Sequence, residues 1–461
     1  MAEFDLVIKG GLLVSDDQVI QTDLAINGEQ IAAVGKDLDG IETIDAAGLL
    51  VLPGGVDPHV HLQMPTPTTV TSDDWRTGSL AAACGGTTTV IDFVEPLAGQ
   101  SMQEALRLRK AEADGNSIVD YALHMTIADV SEETLSQIPE MISEGVSSFK
   151  SYTTYTGLKL TYDELSIVMK AIASVGGLCM VHAEDDSIIR DATKNLVDEG
   201  KITPQWFPLS RPPEAELEAV ERCIQMAKTS NGYLYVVHIS TSQAIDAIFI
   251  ARNEQVSVMG ETCPQYLILD QTLMLETDEI TAAGLVCSPP LRNPAEKQLI
   301  WNAIKAGKIQ SIGSDHCSFR LFPLKEKGLQ DFRKVPGGLP GIELRYLLLY
   351  SQGVLENKLS LQDWVNICST QPAKIFGLYP KKGSLHIGSD ADIVLFNPKK
   401  KFTVSQTTLH ENVDYSPYNS MELSGYPEIT IVKGKILITN GKLAAPQHRG
   451  RFLHCNLPNF L

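Results

Sequence analysis

The chain has 461 residues, of which 43% are hydrophobic and 20% charged, and a formal net charge of −18. That balance describes a globular protein of one large domain or two to three ordinary ones. The acidic excess excludes nucleic acid and anionic membrane as partners, since either requires a basic face.

The opening stretch "MAEFDLVIKG" carries early acids and no long apolar run, so no signal peptide is expected. No apolar run reaches the roughly 18 residues of a spanning helix. The eight cysteines are scattered, without a C-x-x-C pair. They read as free thiols of a reducing compartment, the cytoplasm, and not as disulfides or a cysteine zinc site.

The first fifty residues form short β-like segments, "FDLVIKGGLLV", "TDLAING", "QIAAVG" and "ETIDAAGLLVL", separated by turn residues as in an antiparallel sheet. "VIKGGLLVSDD" near the start resembles "IVKGKILITNG" at 431–441. The two ends are therefore expected to complete one small β-sandwich domain, residues 1–52 plus 376–440. Between them, from 53 to 375, apolar strands alternate with amphipathic helices. The strand candidates are "LLVLPGGVDPHVHL", "TTTVIDFVEP", "VDYALHMTI", "VSSFKSYT", "LCMVHAED", "YLYVVHIS", "VSVMGETCP" and "IQSIGSDH". Helix starts are marked by Ser101–Glu104, Thr161–Glu164 and the run Asn293-Pro294-Ala295-Glu296. Eight buried strands with intervening helices fit an α/β fold of the (β/α)8 TIM-like barrel type.

Chemistry in such barrels collects at the C-terminal strand ends. His59 and His61 end the first strand, Lys150 lies on the fourth, His182 on the fifth, His238 on the sixth and Asp315 at the eighth. Four of the ten histidines thus fall at these ends. Residues i and i+2 of a strand face the same side, so His59 and His61 can share one cation. Any one of these residues alone is ordinarily structural. Together they make a polar cluster that metal binding would compensate. Lys150 is the odd member, because an ammonium repels a cation. If its amine adds carbon dioxide it becomes an anionic carbamate, able to bridge two divalent ions.

These residues resemble those of the cyclic amidohydrolases of the amidohydrolase superfamily, and more narrowly dihydropyrimidinases and D-hydantoinases. The matching stretches run through the chain: "PGGVDPHVHL", "GGTTTVIDF", "SSFKSYTTY", "VHAED", "SRPPEAE", "YVVHIS", "ETCPQYL", "SPPLRN", "SDHC", "GLPGIE" and "GSDADIVLFNP". The resemblance implies two divalent ions, zinc with manganese or cobalt as alternatives. His59, His61 and Asp315 would hold the more buried ion and His182 and His238 the more exposed one. Carboxylated Lys150 (N6-carboxylysine) and a hydroxide would bridge them. It further implies that Tyr155 steadies the oxyanion, that Asp315 shuttles the proton, and that Ser288 and Gly337 grip the substrate's amide edge. The reaction would open a dihydropyrimidine or 5-substituted hydantoin to an N-carbamoyl amino acid.

Two wordings depart from the family. Pro336-Gly337-Gly338 stands where Pro-Asn-Gly is common, and "TTYTG" follows Lys150, which bears on substrate preference. Leu62, Met64, Tyr152, Leu158 and Leu160 are expected to line the side that takes the ring substituent. Allantoinase- or dihydroorotase-like enzymes use the same metals. However, "HLQMPTPTT" lacks the arginine that dihydroorotase relatives place after H-x-H. A non-catalytic dihydropyrimidinase-related scaffold is the rival of another class, and every ligand is retained here. The tail, 441–461, is expected at a subunit interface of a homotetramer. His124 reads as structural and His316 as a neighbour supporting Asp315. His410, His448 and His454 are given no chemistry.

Overall fold

Two hydrophobic patterns build two sheets. The computed structural model describes residues 3–66, 69–458 and 460, so Met1, Ala2, Pro67, Thr68, and Asn459 and Leu461 of the tail lie outside the described residues. The mixed-polarity strands come from both ends of the chain. They are β1 (Phe4–Val14), β2 (Val19–Asn27), β3 (Gln30–Gly35), β4 (Gly40–Asp45) and β5 (Leu50–Pro53) at the start. After the barrel, whose strands are β6–β13, come β14 (Ile393–Thr403), β15 (Glu422–Val432), β16 (Lys435–Thr439) and β17 (Lys442–Leu443). They form one nine-stranded sheet in the order β17-β16-β15-β14-β5-β1-β2-β3, with β4 also on β1. The two ends of the chain meet where β14 pairs antiparallel with β5, Ile393 opposite Pro53.

The purely antiparallel sheet expected for the first fifty residues is not what forms. β4 and β5 both run parallel to β1. The β2–β3 hairpin occupies one edge of β1, so the chain crosses to the other edge and arrives in the same sense.

The all-buried strands close the barrel: β6 (Gly55–Val60), β7 (Thr87–Val94), β8 (Asp120–Thr126), β9 (Ser148–Tyr152), β10 (Leu178–His182), β11 (Tyr233–Val236), β12 (Val258–Thr262) and β13 (Ser311–Ile312). They are parallel and ordered β6 to β13. β13 is too short to pair along β6, so the seam closes just beyond it. Val60 bridges to His316, and the His61 N–H donates to the His316 carbonyl at 2.8 Å. The chain is therefore a (β/α)8 barrel beside a mixed sheet made by both termini.

Helix starts follow the caps. The Thr161 hydroxyl accepts from the Glu164 N–H while Glu164 reaches back to the Thr161 N–H. Asn293 caps a helix opened by Pro294, and Ser101 accepts from the Glu104 N–H at 3.2 Å. Among the described residues no helix is long and apolar enough to cross a membrane.

The barrel floor is tied to the sheet by charge and by the tail. Lys382 is buried and lies 2.6, 2.9 and 2.8 Å from Asp120, Asp390 and Asp392. The tail runs along the same floor. The Tyr121 N–H donates to the Arg451 carbonyl, Leu453 N–H to the Tyr121 carbonyl and Cys455 N–H to the Gly145 carbonyl. Leu453 and Cys455 thereby join the apolar cluster inside the barrel bottom, with Met180 and Phe376.

Candidate active site

The polar residues converge at the C-terminal end of the barrel, several of them just past their strands. β6 carries His59, and His61 follows its end. His238 lies two residues beyond β11 with φ 38°, and Asp315 three residues beyond β13 with φ 49°. These left-handed backbones turn both side chains where a continued strand would not. Backbone strain of this kind is stored where surrounding structure over-determines it.

His59, His61 and Asp315 each bring a ligand atom into a set whose members lie within 4.8 Å of one another. His59 Nε2 is 3.4 Å and His61 Nε2 3.5 Å from Asp315 Oδ1. On the other side of the mouth, His182 Nδ1 meets His238 Nε2 at 2.9 Å. Lys150 is 1% exposed, its Nζ lying 4.9 Å over the Phe93 ring and 5.0 Å over the Tyr152 ring.

Carboxylates fix which face each imidazole presents. His59 Nδ1 lies 2.7 Å from Glu261 Oε1, leaving Nε2 for Asp315. Glu261 also accepts from the His238 backbone N–H at 3.0 Å and from the Tyr235 hydroxyl at 2.9 Å. His182 Nε2 lies 2.7 Å from Glu184 Oε2, leaving Nδ1 for His238. Glu184 is held in turn by Arg211 at 2.6 Å. Such outer partners orient metal-binding imidazoles and set their tautomer. Glu261, Glu184 and Arg211 were not singled out from sequence, although they stand in the stretches "GETCP", "HAED" and "SRPPEAE".

Burial sets the protonation states. It lowers the pKa of His59, His182 and His238, so these rings are held neutral, the form that offers a lone pair. It pulls the Lys150 ammonium down to about 8, against the opposing pull of Asp315 and Glu261. Burial would raise the Asp315 carboxyl, but His59, His61 and Lys150 together hold it below its ordinary value. The site therefore offers neutral imidazoles, an ionised carboxylate and a lysine close to losing its proton. His59 Nε2 is buried without a hydrogen-bond partner, which suits a cation placed between it and Asp315.

Tyr155 sits at the rim in the left-handed region, φ 80°. Its ring centroid is 4.9 Å from that of His182, and the Arg211 guanidinium lies 5.2 Å from it. Burial pushes its phenol up to about 12, Arg211 and the neighbouring Ser288 hydroxyl opposing. Ser288 and Gly337 lie close together: a methyl on Gly337 would stand 3.8 Å from Ser288 Oγ. The Gly338 N–H donates to the Val286 carbonyl at 3.0 Å, binding those two segments to each other.

The expected apolar lining is thinner than the sequence suggests. Leu62 packs against Gly78 of the following helix, and Leu160, whose N–H donates to the Tyr152 carbonyl at 2.9 Å, sits in the main core. Tyr152 is 7% exposed, which leaves Met64 and Leu158 half-buried near the mouth. His124 bonds Ser148 Oγ and the Pro58 carbonyl inside the barrel. His316 Nε2 lies 3.1 Å from Asp73, and its Nδ1 accepts from the Gly341 N–H at 3.2 Å.

Comparisons with known proteins agree over the length of the chain. Residues 50–437 match the Amidohydrolase family model. D-hydantoinase of Geobacillus stearothermophilus is 40% identical over 451 residues, 97% of this chain and 96% of that protein. D-hydantoinase of Ralstonia pickettii is 36% identical over 452 residues, 97% of this chain and 98% of that protein. The crystal structure of dihydropyrimidinase from Brevibacillus agri superposes with a TM-score of 0.96 at 39% identity, covering 99% of each chain.

Proposed function

Because the chain belongs to the amidohydrolase family, we propose that it is a cyclic amidohydrolase of the hydantoinase and dihydropyrimidinase kind, working with two divalent ions. The observation that carries this reading is the pair of facing sets at the barrel mouth: His59, His61 and Asp315 on one side, His182 and His238 on the other. Lys150 lies buried beside them with a depressed pKa. These residues would hold the ions, with Lys150 as the N6-carboxylated bridge. Its lowered pKa favours the free amine that adds carbon dioxide and gives up a proton. Zinc suits the donor set best, and manganese or cobalt also suits it. Bound there, the ions supply an activated water at neutral pH and Lewis-acid polarisation of the substrate carbonyl.

The chain's own residues do the rest. The ionised Asp315 carboxylate accepts the proton of the attacking water and returns it to the ring nitrogen as the carbon–nitrogen bond breaks. The Tyr155 phenol, protonated to high pH, donates to the oxygen on which charge develops. Ser288 and Gly337 hold the amide edge through their main chain, so the ring carbonyl meets the water in one orientation. One water is consumed, and an N-carbamoyl amino acid leaves.

The same reading places a homotetramer in the cytoplasm. The eight buried, unpaired cysteines support a reducing compartment. It also divides the chain into residues 1–52 plus 376–440, 53–375 and the tail 441–461; the two sheets support the first two parts, while β17 at the start of the tail still pairs with β16.

The test is ring opening of dihydrouracil by zinc-reconstituted protein, with 5-phenylhydantoin in parallel. Turnover of either supports the reading, and the faster ring identifies the preferred substrate. No opening of either ring by metal-loaded protein removes it in favour of an allantoinase-like or scaffold role.

A further inference from the structure

Away from the barrel mouth a second mixed cluster of ligand-type side chains has no assigned role. Cys84, Glu343 and His410 each bring one ligand atom, and these atoms lie within 4.8 Å of one another. Cys84 ends the helix Trp75–Cys84, Glu343 closes the "GLPGIE" loop, and His410 lies in the segment between β14 and β15. They meet where the barrel abuts the mixed sheet, and the Thr430 hydroxyl of β15 donates to the Ala83 carbonyl there at 2.8 Å.

The cluster is ordered from outside. Glu343 Oε2 accepts from the His410 backbone N–H at 2.7 Å, and Oε1 faces His410 Nδ1 at 2.9 Å. The Cys84 thiol donates to the Gly441 carbonyl at 3.8 Å. The imidazole therefore faces a carboxylate with a thiol in the same cluster, a donor set of the kind that holds zinc-class ions.

Further carboxylates lie beside the cluster. Glu411 Oε1 lies 3.4 Å from the Glu343 N–H and 3.8 Å from His316 Nδ1, and Asp73 lies on the other side of His316. Among the described residues no lysine or arginine pairs with Glu343, Glu411 or Asp73, and only the two imidazoles face them. Glu343 raises the pKa of His410, Asp73 raises that of His316 against its burial, and burial pushes the Glu411 carboxyl up to about 8, so protons compensate these carboxylates and a bound ion would take the place of the His410 proton. The helix ending at Cys84 also directs the negative end of its dipole there.

We propose that Cys84, Glu343 and His410 form a separate site for one transition-metal ion of the zinc class, with a water as fourth ligand. Sulfur, nitrogen and oxygen donors together select such an ion over magnesium or calcium. Binding forms bonds from the Cys84 sulfur and a His410 ring nitrogen to the metal and releases to solvent the thiol proton and, where His410 is protonated, the imidazolium proton. Burial raises the Cys84 thiol, so affinity rises with pH. The His410 side chain is 25% exposed and gives the ion its entry. An ion held there joins the barrel helix to the sheet and stabilises their junction.

The test is titration of the metal-depleted full-length chain with cobalt(II), read by the near-ultraviolet thiolate-to-cobalt charge-transfer band. The barrel-mouth set contains no cysteine, so the band reports a cysteine-ligated ion whatever the mouth binds. We expect a saturable band in the unsubstituted chain, absent in Cys84→Ser and weakened or shifted in His410→Gln. The second variant changes a partly exposed residue and keeps the test valid if the first fails to fold. No band in the folded, unsubstituted chain overturns the site. So does a band unchanged in either variant.

Discussion

The imidazoles of His182 and His238 meet nitrogen to nitrogen at 2.9 Å, although 56 residues separate them in sequence. Neither faces the other by its own preference. Glu184 takes the far nitrogen of His182, and Glu261 takes the backbone N–H of His238.

Glu184 should therefore control metal affinity without being a ligand. Glu184→Leu frees the tautomer of His182 and leaves Arg211 buried without its carboxylate. Zinc titration should show a loss of roughly 10–100-fold in affinity for one of the two equivalents. Thermal melting should also show lower stability, since a buried pair broken on one side costs about 3–5 kcal/mol. Equal affinity for both equivalents would deny Glu184 this role.

Tyr155→Phe removes a donor and little volume. If the phenol serves the oxyanion, kcat should fall about 10²–10³-fold while KM changes little, as for loss of one oxyanion donor. Because burial raises the phenol to about 12, the unsubstituted enzyme should show no alkaline loss of activity from Tyr155 below about pH 11. The sign for stability follows: the unfolded phenol ionises near 10, before the folded one. The fold is therefore expected to lose stability as pH rises from about 10 to 12.

Gly337 and Gly338 should respond differently. A methyl on Gly337 meets nothing closer than Ser288 Oγ at 3.8 Å, whereas one on Gly338, at φ 147°, stands 2.4 Å from the Cys317 carbonyl oxygen. Gly337→Ala should leave stability within about 0.5 kcal/mol of the starting chain. Gly338→Ala should move the segment away from Val286 and raise KM more than it lowers kcat. Steady-state kinetics on the pair decides this, and an equal effect of both would contradict it.

Lys382 holds the floor rather than the mouth. Asp392, Asp120 and Asp390 keep its ammonium charged against the burial that would discharge it. Lys382→Met leaves three buried carboxylates with less compensation. A loss of about 3–5 kcal/mol is expected in denaturant unfolding at neutral pH. Partial recovery should appear as pH falls and the orphaned carboxylates take up protons. A variant as stable as the parent at neutral pH would show the cluster to be dispensable.

The sequence by itself determined the periodicities, and with them the barrel, the sheet shared by both termini and the residues at the strand ends. Strand alternation is local: it sets His59 and His61 two apart, and all-buried runs announce parallel strands. Only the tertiary structure decided what lies opposite. Glu261 reaches His59 across 202 residues, because closing eight parallel strands brings the seventh strand's side chain to the first. The left-handed turns at His238 and Asp315 are likewise set by packing past the strand ends. Cys84, Glu343 and His410 carry no shared spacing at all. They meet because the barrel's first helix ends against a sheet assembled from both termini of the chain, a contact no local pattern encodes.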